Sequence, residues 1–291
     1  MWKKLGKKQQ GICCILLAGF FFAMMALFVR LSGDLPTMQK AFFRNAVAAL
    51  VAFILLLRTK EKFRIGKGNV PFLLIRSIAG FGGIVFNFYA IDHMPISDAN
   101  MLNKLSPFFA IIMSYFILRE KPKKAEWIAV IIAFTGALFV IKPSFSYEAL
   151  PAFLGALGGL GAGIAYTFVR YLGNRGERGP LIVFFFSSFS TLVILPFMIL
   201  GYKPMTITQL LFLLGAGASA AGGQLSITAA YSKAPAKEIS VFDYAQILFA
   251  ALLGFLILGE LPDILSFIGY AIIIGAALWR FLAIRERPKN S

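Results

Sequence analysis

Acids, histidine and cysteine are scarce in this sequence, and each scarcity removes a class of function. Its 291 residues hold one histidine, His93, and two cysteines, Cys13 and Cys14. No mechanism that needs a histidine cluster is open to it. Two adjacent cysteines inside an apolar run make neither a disulfide framework nor a metal site. Carboxylate pairs at metal spacing, a Ser/His or Cys/His set and paired aspartates suited to a prenyl diphosphate are missing too. No enzyme activity, metal or cofactor is therefore expected. Charged residues are 14% of the chain, against roughly 25% in an ordinary soluble domain. What fills their place is apolar: hydrophobic residues make up 59%. A soluble globule of this length cannot bury so much apolar surface, whereas a bilayer takes it as solvent.

The 29 basic residues outnumber the 13 acidic ones, for a formal net charge of +16. They fall in short groups between apolar runs and form no contiguous basic face, so nucleic acid is not the expected partner. A bilayer core about 30 Å thick needs ~20 helical residues. Runs of that kind cover 11–31, 37–57, 70–91, 96–118, 125–141, 151–171, 180–200, 208–231, 238–258 and 263–283. Turn residues join them, among them Gly33-Asp34-Leu35-Pro36, His93-Met94-Pro95 and Gly201-Tyr202-Lys203-Pro204. The first run follows Lys3, Lys4, Lys7 and Lys8 as a signal peptide would. No convincing small-residue cleavage site follows it, so it is read as a retained span.

With the N-terminus inside, basic residues crowd the N-terminal tail, 58–69, 119–124, 170–178, Lys233, Lys237 and the stretch from Arg280 onward. Only Lys142 and Lys203 fall outside. The positive-inside rule thus places both termini, the basic tails 1–10 and 284–291, in the cytoplasm of a multi-pass protein of the inner cell membrane.

The two halves, 11–141 and 151–283, echo each other at a constant offset of 140 positions. Phe28-Val29-Arg30 returns as Phe168-Val169-Arg170, Pro95 as Pro235, Glu120 as Glu260 and Pro122 as Pro262. Five spans per half is an odd number, so the second copy must enter the membrane upside down. The expected fold is an all-α integral membrane protein of ten transmembrane helices in two inverted five-helix repeats. Such repeats commonly give alternating access to a site near the midplane. Small residues recur at helical spacing, Gly155-Gly159-Gly163 and Gly215-Ser219-Gly223, with Gly19, Ala23, Ala79 and Gly83 as repeat mates. They read either as close packing of helices or as the moving, cavity-lining set.

The ends of the fourth and ninth spans, Tyr115-Phe116-Ile117-Leu118-Arg119-Glu120 and Phe255-Leu256-Ile257-Leu258-Gly259-Glu260, resemble the drug/metabolite transporter superfamily, specifically its EamA-type ten-helix members. Each is followed by Pro and a glycine-containing span, and the turns Ala90 to Pro95 and Ala230 to Pro235 agree. The resemblance covers residues 11 to 283. It implies a basket of ten helices around a cavity lined mainly by spans 1, 3, 4, 6, 8 and 9.

Charges within a span are costly, about 2.5 kcal/mol or more each, and normally face a cavity or a partner. Lys104 lies inside span 4, on one face with Ser97 and Asn100 and beside Asn103. The equivalent part of span 9 holds Ser240, Asp243, Tyr244 and Gln246. Two readings stand. Lys104 and Asp243 face one cavity and receive the acid and amine of a zwitterion, with either group able to hold a coupling proton; or they form an ion pair that only holds the bundle. Asn87, Gln224 and Tyr166 are further cavity candidates. Arg44 divides evenly between cavity and snorkelling to the interface, and Arg76 reads as snorkelling. Glu120 and Glu260 read as solvated turn charges, with a gating role as the alternative.

The expected function is secondary transport of a small polar or amphipathic metabolite, amino-acid-like or otherwise zwitterionic. A lipid-linked or lipophilic substrate is the alternative, and a receptor or structural role comes third. Gly136, Gly269 and Gly275 on spans 5 and 10 offer a surface on which two chains could pair as a homodimer.

Overall fold

The computed structural model describes residues 6–93, 102–141, 149–259 and 263–285. Its helices are α1 Lys7–Leu31, α2 Thr37–Leu57, α3 Val70–His93, α4 Ser106–Leu118, α5 Lys124–Ile141, α6 Ala149–Asn174, α7 Gly179–Leu200, α8 Ile207–Lys233, α9 Ala245–Leu258 and α10 Ile264–Arg285. Helix is the form in which an apolar segment satisfies its own backbone hydrogen bonds in lipid. By length and composition, eight helical segments among the described residues are long and apolar enough to cross a membrane, and α4 is a shorter apolar helix. Side chains such as Phe116, Leu192 and Leu256 stand exposed on the outside of the bundle, where lipid replaces water as solvent. The chain is a multi-pass membrane protein.

Helix pairing carries the signature of the duplication. Under the 140-residue offset, α1 to α5 correspond to α6 to α10 in order. The packing of α1 on α8 has its image in α6 on α3, α1 on α9 in α6 on α4, and α2 on α8 in α7 on α3. Two further contacts, α2 on α7 and α5 on α10, map onto themselves. That is the pattern of a two-fold axis relating the halves. Where α3 meets α6 the backbones nearly touch: a Cβ on Gly161 would lie 2.7 Å from the Ala79 carbonyl oxygen and 2.9 Å from Gly83 Cα. The stripe Gly155-Gly159-Gly163 packs instead against Leu102, Ser106 and Phe109 around the start of α4. Gly136 faces Gly269 and Ile272 of the same chain, so two of the three glycines read as a dimer surface serve the internal α5–α10 contact.

The fourth and ninth spans are not the continuous helices expected over 96–118 and 238–258. Helix resumes only at Ser106 in the first copy. Pro107 lacks the N–H that Asn103 would accept from and its ring crowds that carbonyl, so regular helix cannot run through 103–107. In the second copy a short helical turn, Ala236–Ile239, and a 3-10 turn, Ser240–Tyr244, precede α9. No proline stands there, and the break has a different local cause. Both spans end alike: Arg119 and Gly259, repeat mates, close α4 and α9 in left-handed conformation with φ of 57° and 69°.

Candidate functional site

The two breaks meet within the bundle and bring a buried cation and a buried anion together. Lys104 sits at the first break, and its Nζ donates to Gln246 Oε1 at 2.8 Å. It also approaches Asp243 Oδ2 at 3.4 Å, beyond the usual 2.7–2.9 Å of a tight charge-assisted bond. Both side chains are largely buried, 12% and 8% exposed. The Tyr244 hydroxyl donates to the Lys104 carbonyl oxygen at 2.9 Å, satisfying an acceptor that the break leaves without its helical donor. One repeat thus completes the backbone of the other. α1 closes in from the side, where a Cβ on Gly19 would come within 3.2 Å of the Gln246 nitrogen.

A second polar group lies beside the first. Arg76 of α3 is 2% exposed, and its Nη2 donates to Gln224 Oε1 of α8 at 3.2 Å. Its guanidinium lies 3.7 Å over the Phe186 ring. Nε and Nη1 of Arg76 have no hydrogen-bond partner. A Cβ on Gly80 would stand 2.6 Å from Nη1, so the glycine is what leaves the guanidinium its place. Arg76 does not snorkel, then; it is folded into the interior by α7 and α8. Arg44 of α2 donates from Nε to Met25 Sδ at 3.2 Å. Tyr166 and Tyr231 stack with centroids 4.9 Å apart.

The duplication did not supply these charges. The repeat mate of Arg44 is Phe184, that of Arg76 is Ala216, and that of Tyr166 is Ala26. Two-fold symmetry built the frame, and the chemistry within it is one-sided.

Of the residues expected from sequence, the structure brings together Lys104, Asp243 and Tyr244, while Gln224 meets Arg76, Tyr166 meets Tyr231 and Arg44 meets Met25. Asn103 is half-buried at the first break. Asn87 packs with its backbone against Gly158, and its side-chain oxygen is buried without a partner. Asn100 and Ser97 lie outside the described residues, as does Glu260. Gln246, Arg76, Phe186 and Tyr231 take part in these contacts, although sequence reasoning named Gln246 only as a neighbour of Asp243, read Arg76 as snorkelling and did not select Phe186 or Tyr231. Gln246 follows Asp243 by three residues, the spacing of one helix face. Gly80, four after Arg76, clears space on the same face. Nothing local marks Phe186 or Tyr231. On α7, the Thr191 hydroxyl donates to the Ser187 carbonyl at 2.7 Å, whereas the buried hydroxyls of Ser187 and Ser190 have no partner.

The end of the bundle that carries most basic loops is tied between repeats. Glu120 is no solvated turn charge: its Oε1 accepts from Arg170 Nε at 3.1 Å, and both side chains are 15% exposed. Arg170 also donates to the Ser232 carbonyl at 3.3 Å, and Lys237 Nζ to that of Lys121 at 2.7 Å. Nearby, Glu177 accepts from Gly66 N and Asn69, while Arg178 bonds Thr59 and the carbonyls of Lys62 and Arg64. A cleft of 450 Å³ between these loops is lined by residues of that network. At the opposite end, Gln39 exchanges bonds of 3.0 Å each with the backbone of Lys203.

The sequence profile of the EamA-like transporter family matches twice, over residues 9–142 and 149–282. The Pseudopaline exporter CntI of Pseudomonas aeruginosa is 33% identical over 273 residues, covering 93% of this chain and 95% of that one. The Riboflavin transporter of Vibrio cholerae is 28% identical over 283 residues, 91% and 90% of the two chains. A solved crystal structure superposes with a TM-score of 0.83 at 16% identity, over 95% of this chain and 99% of the other, and so shares the fold. By its duplicated profile, its relatives and its paired repeats, this chain belongs to the EamA-like transporter family.

Proposed function

We propose that the chain is an alternating-access secondary transporter of a small zwitterionic metabolite of amino-acid type. Lys104 receives the substrate's acid and Asp243 its amine. The observation that carries this is the pair itself: opposite charges 3.4 Å apart, one from each repeat, at two helix breaks in the middle of the bundle. A loose pair of buried charges is a site that a zwitterion replaces group for group. Its ammonium takes the place of Lys104 at Asp243, and its carboxylate the place of Asp243 at Lys104. Asp243 also serves as the position where a coupling proton exchanges with the substrate amine. The names of the two relatives, a pseudopaline exporter and a riboflavin transporter, support a small-metabolite cargo. The basic loops gathered at one end support cytoplasmic termini in the inner membrane.

Transport by purified protein in liposomes, with an amino-acid panel, tests the reading. Lys104→Met and Asp243→Asn each abolish it. The double exchange Lys104→Asp/Asp243→Lys restores the pair and the melting temperature but not transport. Recovery of transport by the exchange would make the pair a structural brace and end the reading.

A further inference from the structure

The 450 Å³ cleft at the basic end lies between loop 58–69 of the first repeat and loop 174–178 of the second, and its acids are already engaged. Glu61 pairs with Arg178 Nε at 3.3 Å. Glu177, 8% exposed, accepts from the Gly66 nitrogen at 3.0 Å and from Asn69 Nδ2 at 2.9 Å. Arg178 is engaged too, since Nη1 donates to Thr59 and Nη2 to the carbonyls of Lys62 and Arg64. The other cations face outward. Arg64 and Lys67 line the cleft and stand exposed, and among the described residues their side chains take no part in this network. Arg175, also exposed, uses Nε on Asn69 at 2.7 Å, and its Nη2 lies 3.5 Å from the place of a Cβ on Gly68. Across the cleft Gly176, at φ 78°, has nothing within 4 Å of an added Cβ, so that wall stays open. The same loop also turns an aromatic ring onto the helices below. Arg178 holds the carbonyls on either side of Phe63, whose ring meets Phe53 of α2 and Phe184 of α7 with centroids 5.3 Å away in each case. Phe53 and Phe63 remain 38% and 37% exposed on the outside of the bundle.

We infer that this cleft binds an anionic phospholipid of the leaflet on the basic side of the membrane. Arg64 and Lys67 receive the phosphate, with Arg175 beside them, and an acyl chain lies along Phe53, Phe63 and Phe184. Cations above exposed aromatic rings match the order in which a phospholipid is built, head group above chain. Basic pockets at the cytoplasmic ends of spans hold anionic head groups because each Lys or Arg near the surface adds attraction. A choline head would bring its own cation to a wall that already carries three, so a net negative head group such as phosphatidylglycerol is the fit. A guanidinium adds a planar fork that suits phosphate oxygens. Because the two loops come from different repeats, a lipid held between them stabilises the tie at this end. The site goes beyond the central substrate reading and uses neither Lys104 nor Asp243.

Thermal unfolding of the full-length protein in detergent, titrated with dioleoyl phosphatidylglycerol or dioleoyl phosphatidylcholine, tests the site. Phosphatidylglycerol raises the melting temperature of wild type more than phosphatidylcholine does at equal mole fraction. Arg64→Gln/Lys67→Gln melts as wild type without lipid, since both side chains are exposed, and needs about tenfold more phosphatidylglycerol for the same rise. Lys67→Glu, a single exposed position, weakens the response in the same direction. Lys121→Gln/Lys124→Gln removes equal charge from another basic loop and keeps the wild-type response. Glycerol phosphate, the head group without its chains, gives no comparable rise at the same concentration. Four results would each overturn the lipid site: phosphatidylcholine acting as well as phosphatidylglycerol, an unchanged response in Arg64→Gln/Lys67→Gln and Lys67→Glu, an equal loss in Lys121→Gln/Lys124→Gln, or glycerol phosphate acting as well as the lipid. The last would make the cleft a site for soluble phosphates instead.

Discussion

Glu120 and Arg170 form an ion pair of 3.1 Å between the end of α4 and the end of α6, and so join the two repeats at the basic end of the bundle. Their repeat mates are Glu260 and Arg30, which the inverted topology assigns to the opposite end. Glu260 lies outside the described residues. The pair is partly buried, and Arg170 extends it to the Ser232 carbonyl on α8.

Removing either partner leaves the other charge poorly solvated. Glu120→Gln or Arg170→Gln is expected to cost about 2 kcal/mol, between an exposed pair and a fully buried one. The charge exchange Glu120→Arg/Arg170→Glu recovers most of it. In a background with Cys13 and Cys14 replaced, a cysteine at Ser232 reacts faster with a soluble thiol reagent once the pair is broken. Thermal melting of the four proteins and the labelling rate check this, and an unchanged rate rules out a closing role.

Arg119 ends α4 at φ 57°, where an L side chain is disfavoured, and its mate Gly259 ends α9 at φ 69°. Left-handed geometry costs a residue with a Cβ about 1 kcal/mol or more. Arg119→Gly is expected to stabilise by up to about 1 kcal/mol, and Gly259→Ala to destabilise by a similar amount. Opposite shifts in melting temperature confirm it; shifts of the same sign refute it.

Backbone contact between α3 and α6 leaves no space for a side chain at Gly161, where an added Cβ meets Ala79 and Gly83 below 3.0 Å. Gly161→Ala should cost about 1–3 kcal/mol through overpacking. Gly275 on α10 has nothing within 4 Å of an added Cβ, so Gly275→Ala should be near neutral. The contrast between these two variants in one melting series is the measurement.

Tyr244 bridges the breaks through one hydroxyl, bonded to the Lys104 carbonyl at 2.9 Å. Tyr244→Phe leaves that buried acceptor unpaired and is expected to cost about 1–3 kcal/mol. Lys104 also loses its placement, so the response to amino-acid ligands should weaken with it. A variant that melts lower yet binds as well as wild type would separate the bridge from the site.

The membrane class, the span count and the duplication were legible because each rests on a local or a periodic signal. Apolar runs of bilayer length are visible residue by residue, and Phe28-Val29-Arg30 and Phe168-Val169-Arg170 announce the repeat whatever the fold. The interruptions within spans 4 and 9 were legible only in part. Pro107 is a visible breaker, but the 3-10 turn at Ser240–Tyr244 carries no such residue. Gly136 misled for a related reason, since a small residue states that something approaches and not what.

The order of residues alone determined a bilayer-spanning helical protein in two opposed copies, with Lys104 and Asp243 named as charges within its spans. Hydrophobicity and helix period are properties of a segment, so no neighbour is needed to read them. Which charges share a site was decided only by tertiary packing. Lys104 and Asp243 stand 139 residues apart and Arg76 and Gln224 148 apart, and they meet because the turn Ser240–Tyr244 packs on α4 and because α3 and α8 both pack on α6. Arg76 could as well have reached the interface. The cleared space at Gly80, with Phe186 beneath and Gln224 opposite, turned it inward.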